Sequence, residues 1–579
     1  MTSADATARL GARAPSSHTA AESHRLRREI GVVGLLFTSV GSIIGSGWLF
    51  GALSASQIAG PAALISWVIG GVAVILLALA HAELGAMYPV AGGSARFPHY
   101  AFGSLAGFAG GWFAFLGAVT TAPIEVEAAL QYSTNYVHGL TKVSGGTPVL
   151  TAQGYAVATV LMLIFSAINV MGVRWLAETN KVIVWWKIAI PLLTVIVLIA
   201  TAFHPHNFTA GGGFMPFGLK GVFTAVAAGG VIFAYLGFEQ AIQLGGESRN
   251  PRRNIPLAVV GSMVLGVVLY ILLQVAFLGA LKPSTLAHGW TTVAFAGNGA
   301  IYGPFAGLAT ALGVGWLATL LYIDAIVSPG GTGLLYVGTS SRLTFALARN
   351  RYIPKRFALL SRRRVPAVAI AFSFVCGMFL FLPFPGWQKL VGFITSATVL
   401  AYAMVPLSLG ALRREEPDRE RPFRLPWAGI LAPASFVVAN ELILFSGWAV
   451  DWKLLVAIAI GLVLLGISLA TTPPEERPHL EWRHATWLAP YLIGIGVISY
   501  LSSFDTSSKS SILGLLKGPT GTLPFGWDVL VMAIFGVAIY ALAVRMRLPR
   551  EAVDAHVGDM TEEAEEEDAL LGVATPVAG

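Results

Sequence analysis

Two glycine-bearing stretches decide how this chain is read: Gly41-Ser42-Ile43-Ile44-Gly45-Ser46-Gly47, and Gly229-Gly230-Val231-Ile232-Phe233-Ala234-Tyr235-Leu236-Gly237-Phe238-Glu239. Each lies within an apolar run long enough to cross a bilayer. Taken alone, the first supports two readings. Gly41 to Gly45 and Gly47 to Gly51 are small-xxx-small spacings, which let two helices pack closely. Equally, glycine permits non-helical torsions, so the helix unwinds and the freed amides of Ser46 and Gly47 point at an anion. The second stretch separates these readings by its position, five apolar runs after the first. Inverted five-helix repeats break the first helix of each repeat near the bilayer midplane, where unwound backbone is tolerated because it lines a cavity. One break then offers amides to a carboxylate and the other offers carbonyls to an ammonium. Such a pair suits a zwitterion whose two charges sit on one carbon.

The rest of the chain supports a membrane setting. Of 579 residues, 55% are hydrophobic and only 12% charged, about half the charged share of a soluble globular protein. Backbone amides in lipid must be satisfied within their own segment, so repeated apolar runs of about 20 residues are helices. A barrel would show short alternating strands instead, and none is predicted. Apolar stretches fall at 31–55, 61–88, 105–137, 150–170, 182–203, 221–245, 255–281, 305–345, 366–384, 388–411, 427–447, 453–471, 485–503 and 525–546, which makes about 14 transmembrane helices. The positive-inside rule tests that count. Of the 37 basic residues, 29 fall on the loops this count places inside, seven fall outside, and Lys187 lies within a helix. Both termini are therefore expected in the cytoplasm of a multi-pass protein of the inner (plasma) membrane. The net charge of +7 is a topological signal and implies no nucleic-acid partner.

Residues 1–30 read as a polar cytoplasmic tail, and residues 547–579 as an acidic one, with Glu562 to Asp568 too charged to fold alone. The single cysteine, Cys376, lies in an apolar run and carries no redox reading. No hydrolase, nucleotide or zinc motif is found, and His81, His99 and the tail histidines lack metal-ligand spacing. The chain is read as neither an enzyme nor a metal or cofactor protein.

Several motifs carry a family resemblance. The stretch from Gly41 to Phe50, the run Ala82-Glu83-Leu84-Gly85-Ala86-Met87-Tyr88-Pro89-Val90-Ala91-Gly92-Gly93, the segment Gly246-Glu247-Ser248-Arg249-Asn250-Pro251 onward to Pro256, and the exit from Ser341 to Pro354 together resemble the amino acid-polyamine-organocation family. The likeness covers about residues 31–470 and is to its 14-helix members, somewhat like bacterial aspartate-proton symporters. It implies an all-α integral membrane fold of the leucine-transporter type, with a 5+5 inverted repeat and extra C-terminal helices. The core is then 31–411, built from repeats 31–203 and 221–411, with peripheral helices over 412–546. The substrate carboxylate would meet the backbone of Gly45, Ser46 and Gly47 with the Ser46 hydroxyl, and the ammonium would meet carbonyls of Ile43, Phe233, Ala234 and Leu236 beside Gly237. Phe233 would cover the bound molecule as an aromatic gate.

Lys187 has two readings. It lies about six residues from the inner end of its helix, roughly 9 Å at 1.5 Å per residue, so its stem reaches the interface by snorkelling. Alternatively it is a desolvated lysine beside helices 1 and 8 that gains and loses a proton during transport, as a similar lysine does in proton-coupled family members. Intramembrane acids mark pathways in the same way. Glu239, after the second break, ranks first as a gating or proton-linked residue. Glu125 and Glu127 are two apart, so at most one addresses a cavity. Pro123 should loosen the helix before Glu125. Asp324 precedes Ser328-Pro329-Gly330-Gly331-Thr332-Gly333, which is expected to break the eighth helix. For Glu83, Asp324 and Glu441 a partnered structural acid and a functional one are both open.

The expected function is secondary active transport of an amino acid into the cell, coupled to protons. An amino acid exchanger uses the same site without an ion. A non-transporting sensor needs a signalling domain that tails of about 30 residues do not supply. The backbone site reads groups common to all amino acids, so the substrate's side chain stays open.

Overall fold

The computed structural model describes residues 30–89, 93–171, 174–293, 302–361, 365–505 and 519–558, with side chains excluded for 174–181. The N-terminal tail, the acidic run from Glu562 to Asp568, and Val90, Ala91 and Gly92 of the second motif lie outside the described residues.

Each apolar stretch folds as a helix or as a series of bent helical pieces. The first is α1 (Val32–Ile43) and α2 (Gly47–Ala59), followed by α3 (Ala63–Met87), a short α4 (Phe97–Phe102) and α5 (Ser104–Ser133). Next come α6 (Ala152–Met171) and α7 (Arg174–Thr201). The sixth stretch is α8 (Gly218–Ala227), α9 (Val231–Tyr235) and α10 (Gln240–Gln243). Then follow α11 (Pro251–Ala280), α12 (Pro304–Ala311), α13 (Gly315–Arg349), α14 (Ala367–Leu380) and α15 (Trp387–Glu415). The chain continues through α16 (Ala428–Ser446), α17 (Trp448–Thr471), α18 (Trp482–Ala485), α19 (Leu488–Leu501) and α20 (Trp527–Arg545). Among the described residues, eleven helical runs are long and apolar enough to cross a membrane, α2 through α3 counting as one run. The bent pair of α8 with residues 231–243, at 44°, makes a twelfth, and α1 and α14 are shorter apolar helices.

Burial sorts these helices by role. The apolar window of α5 is 94% buried and that of α15 is 89% buried, against 22% for α6. The first two are therefore internal posts, while α6 turns most of its surface to lipid. That order follows from composition. α5 carries glycine and alanine at Gly107, Gly110, Gly111, Gly117 and Ala118, where other helices come close, whereas α6 exposes Val160, Leu163 and Ile164.

Three expectations are corrected. A two-stranded hairpin, β1 (Thr141–Ser144) with β2 (Thr147–Leu150), joins α5 to α6, turning at Gly145-Gly146, a pair suited to a two-residue hairpin loop. Second, α13 runs unbroken through Pro329 from Gly315 to Arg349. A proline inside a helix removes one backbone bond; around it Ser328 donates to Asp324 Oδ1 at 2.6 Å and Thr332 donates to the Ser328 carbonyl at 3.2 Å. The interruption in that stretch comes earlier, at Leu312–Val314 between α12 and α13, where Gly313 has φ of 79°. Pro123 likewise sits inside a continuous α5.

Third, the C-terminal segment does not begin as a solvated tail at 547. Residues 550–558 are helical, Leu548 and Val553 are buried, and the Leu548 amide donates to the Ala101 carbonyl of α4 at 2.9 Å. Arg547 Nε lies 2.5 Å from Glu415 Oε1, and His556 Nε2 lies 3.4 Å from Glu481 Oε1. His556 also meets His99 of α4 at 3.0 Å, and His99 reaches the Tyr352 hydroxyl at 3.1 Å. Burial, and then the neighbouring His556, hold His99 down at about 3. Burial pushes Glu481 up, but hydrogen bonds from His556 and the Ser104 amide outweigh it and hold the carboxyl at about 2. Glu481 thus stays ionised over the range in which a free histidine titrates. An undocked His99, with an ordinary value near 6.5, takes up a proton that the docked one refuses. Docking is therefore strongest above about pH 6.5 and weakens as pH falls from there toward 3. Hydrogen exchange across residues 546–558, corrected for intrinsic rates, should report more frequent opening near pH 5.5 than near pH 7.5. Equal opening would remove His99 from the contact.

On the same end of the molecule, Glu83 at the end of α3 is fully buried and clamped. Arg413 donates from Nε at 2.8 Å and from Nη2 at 2.5 Å, and the Leu425 amide donates at 2.7 Å. Glu83 is thus a partnered structural acid. Glu441, by contrast, is buried on α16 with neither carboxyl oxygen hydrogen-bonded.

Candidate functional site

The two glycine-bearing stretches are broken and lie against each other. α1 ends at Ile43, and the chain turns through Ile44 to Ser46 before α2 begins at Gly47. α9 ends at Tyr235, Leu236 is extended, and Gly237 has φ of 117°, in the left-handed region that favours glycine. The crossing depends on missing side chains. A Cβ on Gly47 would lie 2.7 Å from Ala234 Cα, and one on Gly237 would lie 2.7 Å from Ser42 Oγ. Backbone groups freed by the breaks find new partners, as an apolar setting requires. Ser39 Oγ donates to the Phe238 carbonyl at 3.0 Å, and the Tyr270 hydroxyl donates to the Ile43 carbonyl at 2.9 Å.

Between the breaks and the posts α5, α13 and α15 lies a cavity of about 50 Å³, where one water needs roughly 10–15 Å³. Ile43, Gly45, Gly47, Phe233, Leu236, Glu125 and Glu239 line it. The small or hydroxylic residues Ala114, Gly117, Ala118, Thr121 and Thr398 also line it, with the bulkier Ile394. The residues singled out in the sequence divide as follows. The Ser46 hydroxyl accepts from Trp387 Nε1 at 2.9 Å and lies within hydrogen-bonding reach of the Glu125 carboxylate, while the Ser46 amide donates to Glu125 Oε2 at 2.9 Å. Ala234 packs on Gly47, and Gly237 packs on Ser42. Asp324 is not among the residues lining the cavity: its Oδ1 accepts from Trp186 Nε1 at 2.8 Å and from Ser328.

Lys187 does not snorkel. Its side chain is 1% exposed, and Nζ donates to the Gly41 carbonyl at 2.7 Å and to Thr332 Oγ1 at 2.6 Å. The ammonium therefore ties the end of α1 to α13. Glu239 accepts from the Tyr402 hydroxyl and from the Tyr336 hydroxyl, the latter at 3.2 Å, and Ser42 donates on to Tyr336 at 3.0 Å. Of the neighbouring acids on α5, Glu125 faces the cavity, whereas Glu127 is buried away from it, with neither oxygen hydrogen-bonded among the described residues. No cluster of three metal-ligating side chains occurs among the described residues.

Sequence reading did not find Tyr270, Tyr336, Tyr402, Thr332 or Trp387. Each is a polar or aromatic residue inside an apolar helix, a weak signal on its own, and each gains meaning only from the break it faces.

A membrane-spanning all-α bundle built around two facing helix breaks belongs to the transporter class. The chain is a member of the amino acid permease family, whose model matches residues 30–498. It is 38% identical over 527 residues to the glutamate/serine transporter AimA of Bacillus subtilis (strain 168), covering 90% of this chain and 94% of that protein. It is 35% identical over 531 residues to the aspartate-proton symporter of Bacillus subtilis (strain 168), covering 91% and 98%. A branched-chain amino acid permease, BcaP, of the same strain is 26% identical over 453 residues, covering 76% and 92%. The family and these relatives are transporters, not enzymes, and this chain is a multi-pass membrane transporter of that family.

Proposed function

We propose that this chain carries a small amino acid into the cell together with a proton. The observation that carries the reading is the pairing of the two facing breaks with Lys187, whose buried ammonium joins the first break to α13. In this reading the amides at Gly45, Ser46 and Gly47 hold the substrate carboxylate, and carbonyls of Ile43, Phe233, Ala234 and Leu236 meet its ammonium. Phe233 closes over the substrate, and Lys187 and Glu239 take part in proton movement. A relative named as an aspartate-proton symporter supports proton coupling. The cavity supports a small neutral side chain, because its wall offers alanine, glycine and threonine and, among the described residues lining it, no lysine or arginine.

The core would span 31–411 as two repeats, 31–203 and 221–411, with 412–546 peripheral. Both termini would face the cytoplasm of a plasma-membrane protein. Uptake into vesicles under an imposed inward proton gradient, without internal substrate, tests the coupling. Stimulated accumulation is expected. Transport that requires internal amino acid and ignores the gradient would make the protein an exchanger.

A further inference from the structure

We propose that Glu125 is a tethered competitor for the substrate's carboxylate: ionised, it holds the Ser46 amide of the first break, and on taking a proton it yields that amide to the substrate. The inference rests on the amino-acid reading above and assigns the link between proton and substrate to one side chain. Three observations carry it. Glu125 Oε2 accepts the Ser46 N–H at 2.9 Å. The other oxygen lies against Gly45, where a Cβ would fall on it. The carboxyl is 1% exposed and projects from α5, which runs unbroken through Pro123. A carboxylate thus already occupies the anion-facing side of the break, and a rigid post supplies it.

Electrostatics makes the two carboxylates exclusive. Two like charges side by side in a site shielded from water repel far more strongly than they do in bulk water. A protonated Glu125 removes that repulsion and gains an O–H donor that a substrate carboxylate can accept. Only an O–H bond is made and broken: one proton from the water on the entry side joins Glu125 as the substrate binds, and it is released to the water on the other side when the substrate departs. The groups facing Glu125 fit this exchange. The Lys187 ammonium from α7, held by Gly41 and Thr332, is its counter-charge. The Tyr270 hydroxyl from α11 lies within electrostatic reach, Thr332 of α13 sits across Gly45, and Glu239 lines the same cavity. Glu239 already accepts from two tyrosine hydroxyls and, within its own turn, from the Gly237 amide.

The test is binding to the purified full-length protein as a function of pH. The probe is whichever of the twenty L-amino acids raises the thermal midpoint of the wild type most near pH 6. Competition through one proton predicts that the wild-type apparent Kd rises toward a limit of about tenfold per pH unit on the alkaline side, and that Glu125→Gln is flat within about twofold. Should Glu125→Gln fail to fold, Glu125→Asp serves, since its shorter arm draws the carboxylate off the Ser46 amide and is expected to reduce the slope. Glu127→Gln, on the other face of α5, should keep the wild-type slope. A wild type without pH dependence, a Glu125 variant with the wild-type slope, or a slope lost in Glu127→Gln would each overturn the assignment while leaving amino-acid transport standing. Failure of every one of the twenty L-amino acids to bind the wild type would instead sink the amino-acid reading, and this inference with it.

Discussion

Gly47→Val is expected to abolish amino-acid binding while leaving the protein inserted in the membrane. A single added Cβ already falls 2.7 Å from Ala234 Cα and 2.9 Å from Ala234 Cβ, and the nearer obstacle is backbone, which cannot rotate away as a side chain can. Valine adds two further methyl groups to that conflict. The two breaks must separate, and a site that uses both of them for opposite charges of one small molecule is lost. A fall in affinity of at least about a hundredfold, near 2.7 kcal/mol, is expected. Thermal-shift titration reads it, with expression and monodispersity as the fold control. Gly466→Ala is the matched substitution, since a Cβ there meets nothing within 4 Å, and it should bind as the wild type does. Retained affinity in Gly47→Val would remove the first break from the site.

Lys187→Met should separate transport from the proton gradient. Methionine keeps much of the stem's bulk and deletes the ammonium, so the Gly41 carbonyl and Thr332 Oγ1 both lose their donor. Hydrogen bonds to charged groups contribute about 1.5–3 kcal/mol each, so gradient-stimulated uptake is expected to fall at least about tenfold. Exchange of internal for external amino acid should continue at a reduced rate, because the cavity-lining residues are untouched. Undiminished stimulation would exclude Lys187 from coupling and leave it as a structural strut between α1 and α13.

What could be read from the sequence was set by period and position. Apolar length alone places the helices, because lipid imposes internal hydrogen bonding on every segment. The paired breaks are legible because glycine clusters recur at a fixed helix interval. Lys187 is legible because it is the one basic residue that the topology leaves inside a helix. Pairings across the bundle are harder to see. Nothing in Pro123-Ile124-Glu125 indicates that its carboxylate meets the Ser46 amide, 79 residues away along the chain, and nothing in the spacing of Tyr336 and Tyr402 indicates that both reach Glu239. The expected break at Ser328 to Gly333 shows the opposite error. Local composition favours interruption there, but the helix continues past Pro329, packed between α5 and its other neighbours. In the C-terminal segment the charge of Glu562 to Asp568 masks the buried Leu548 and Val553 that precede it.

The docking of residues 546–558 on α4 also bears on how the chain is made. The Ala101 carbonyl leaves the ribosome long before its partner, the Leu548 amide, and at about 5–20 residues per second the wait is on the order of 20–90 s. Through that interval His99 stands without His556, so a nascent chain holds an unfinished surface beside α4 until residues 550–558 emerge. A premature stop codon just after α20 would leave every membrane helix in place and that surface permanently open.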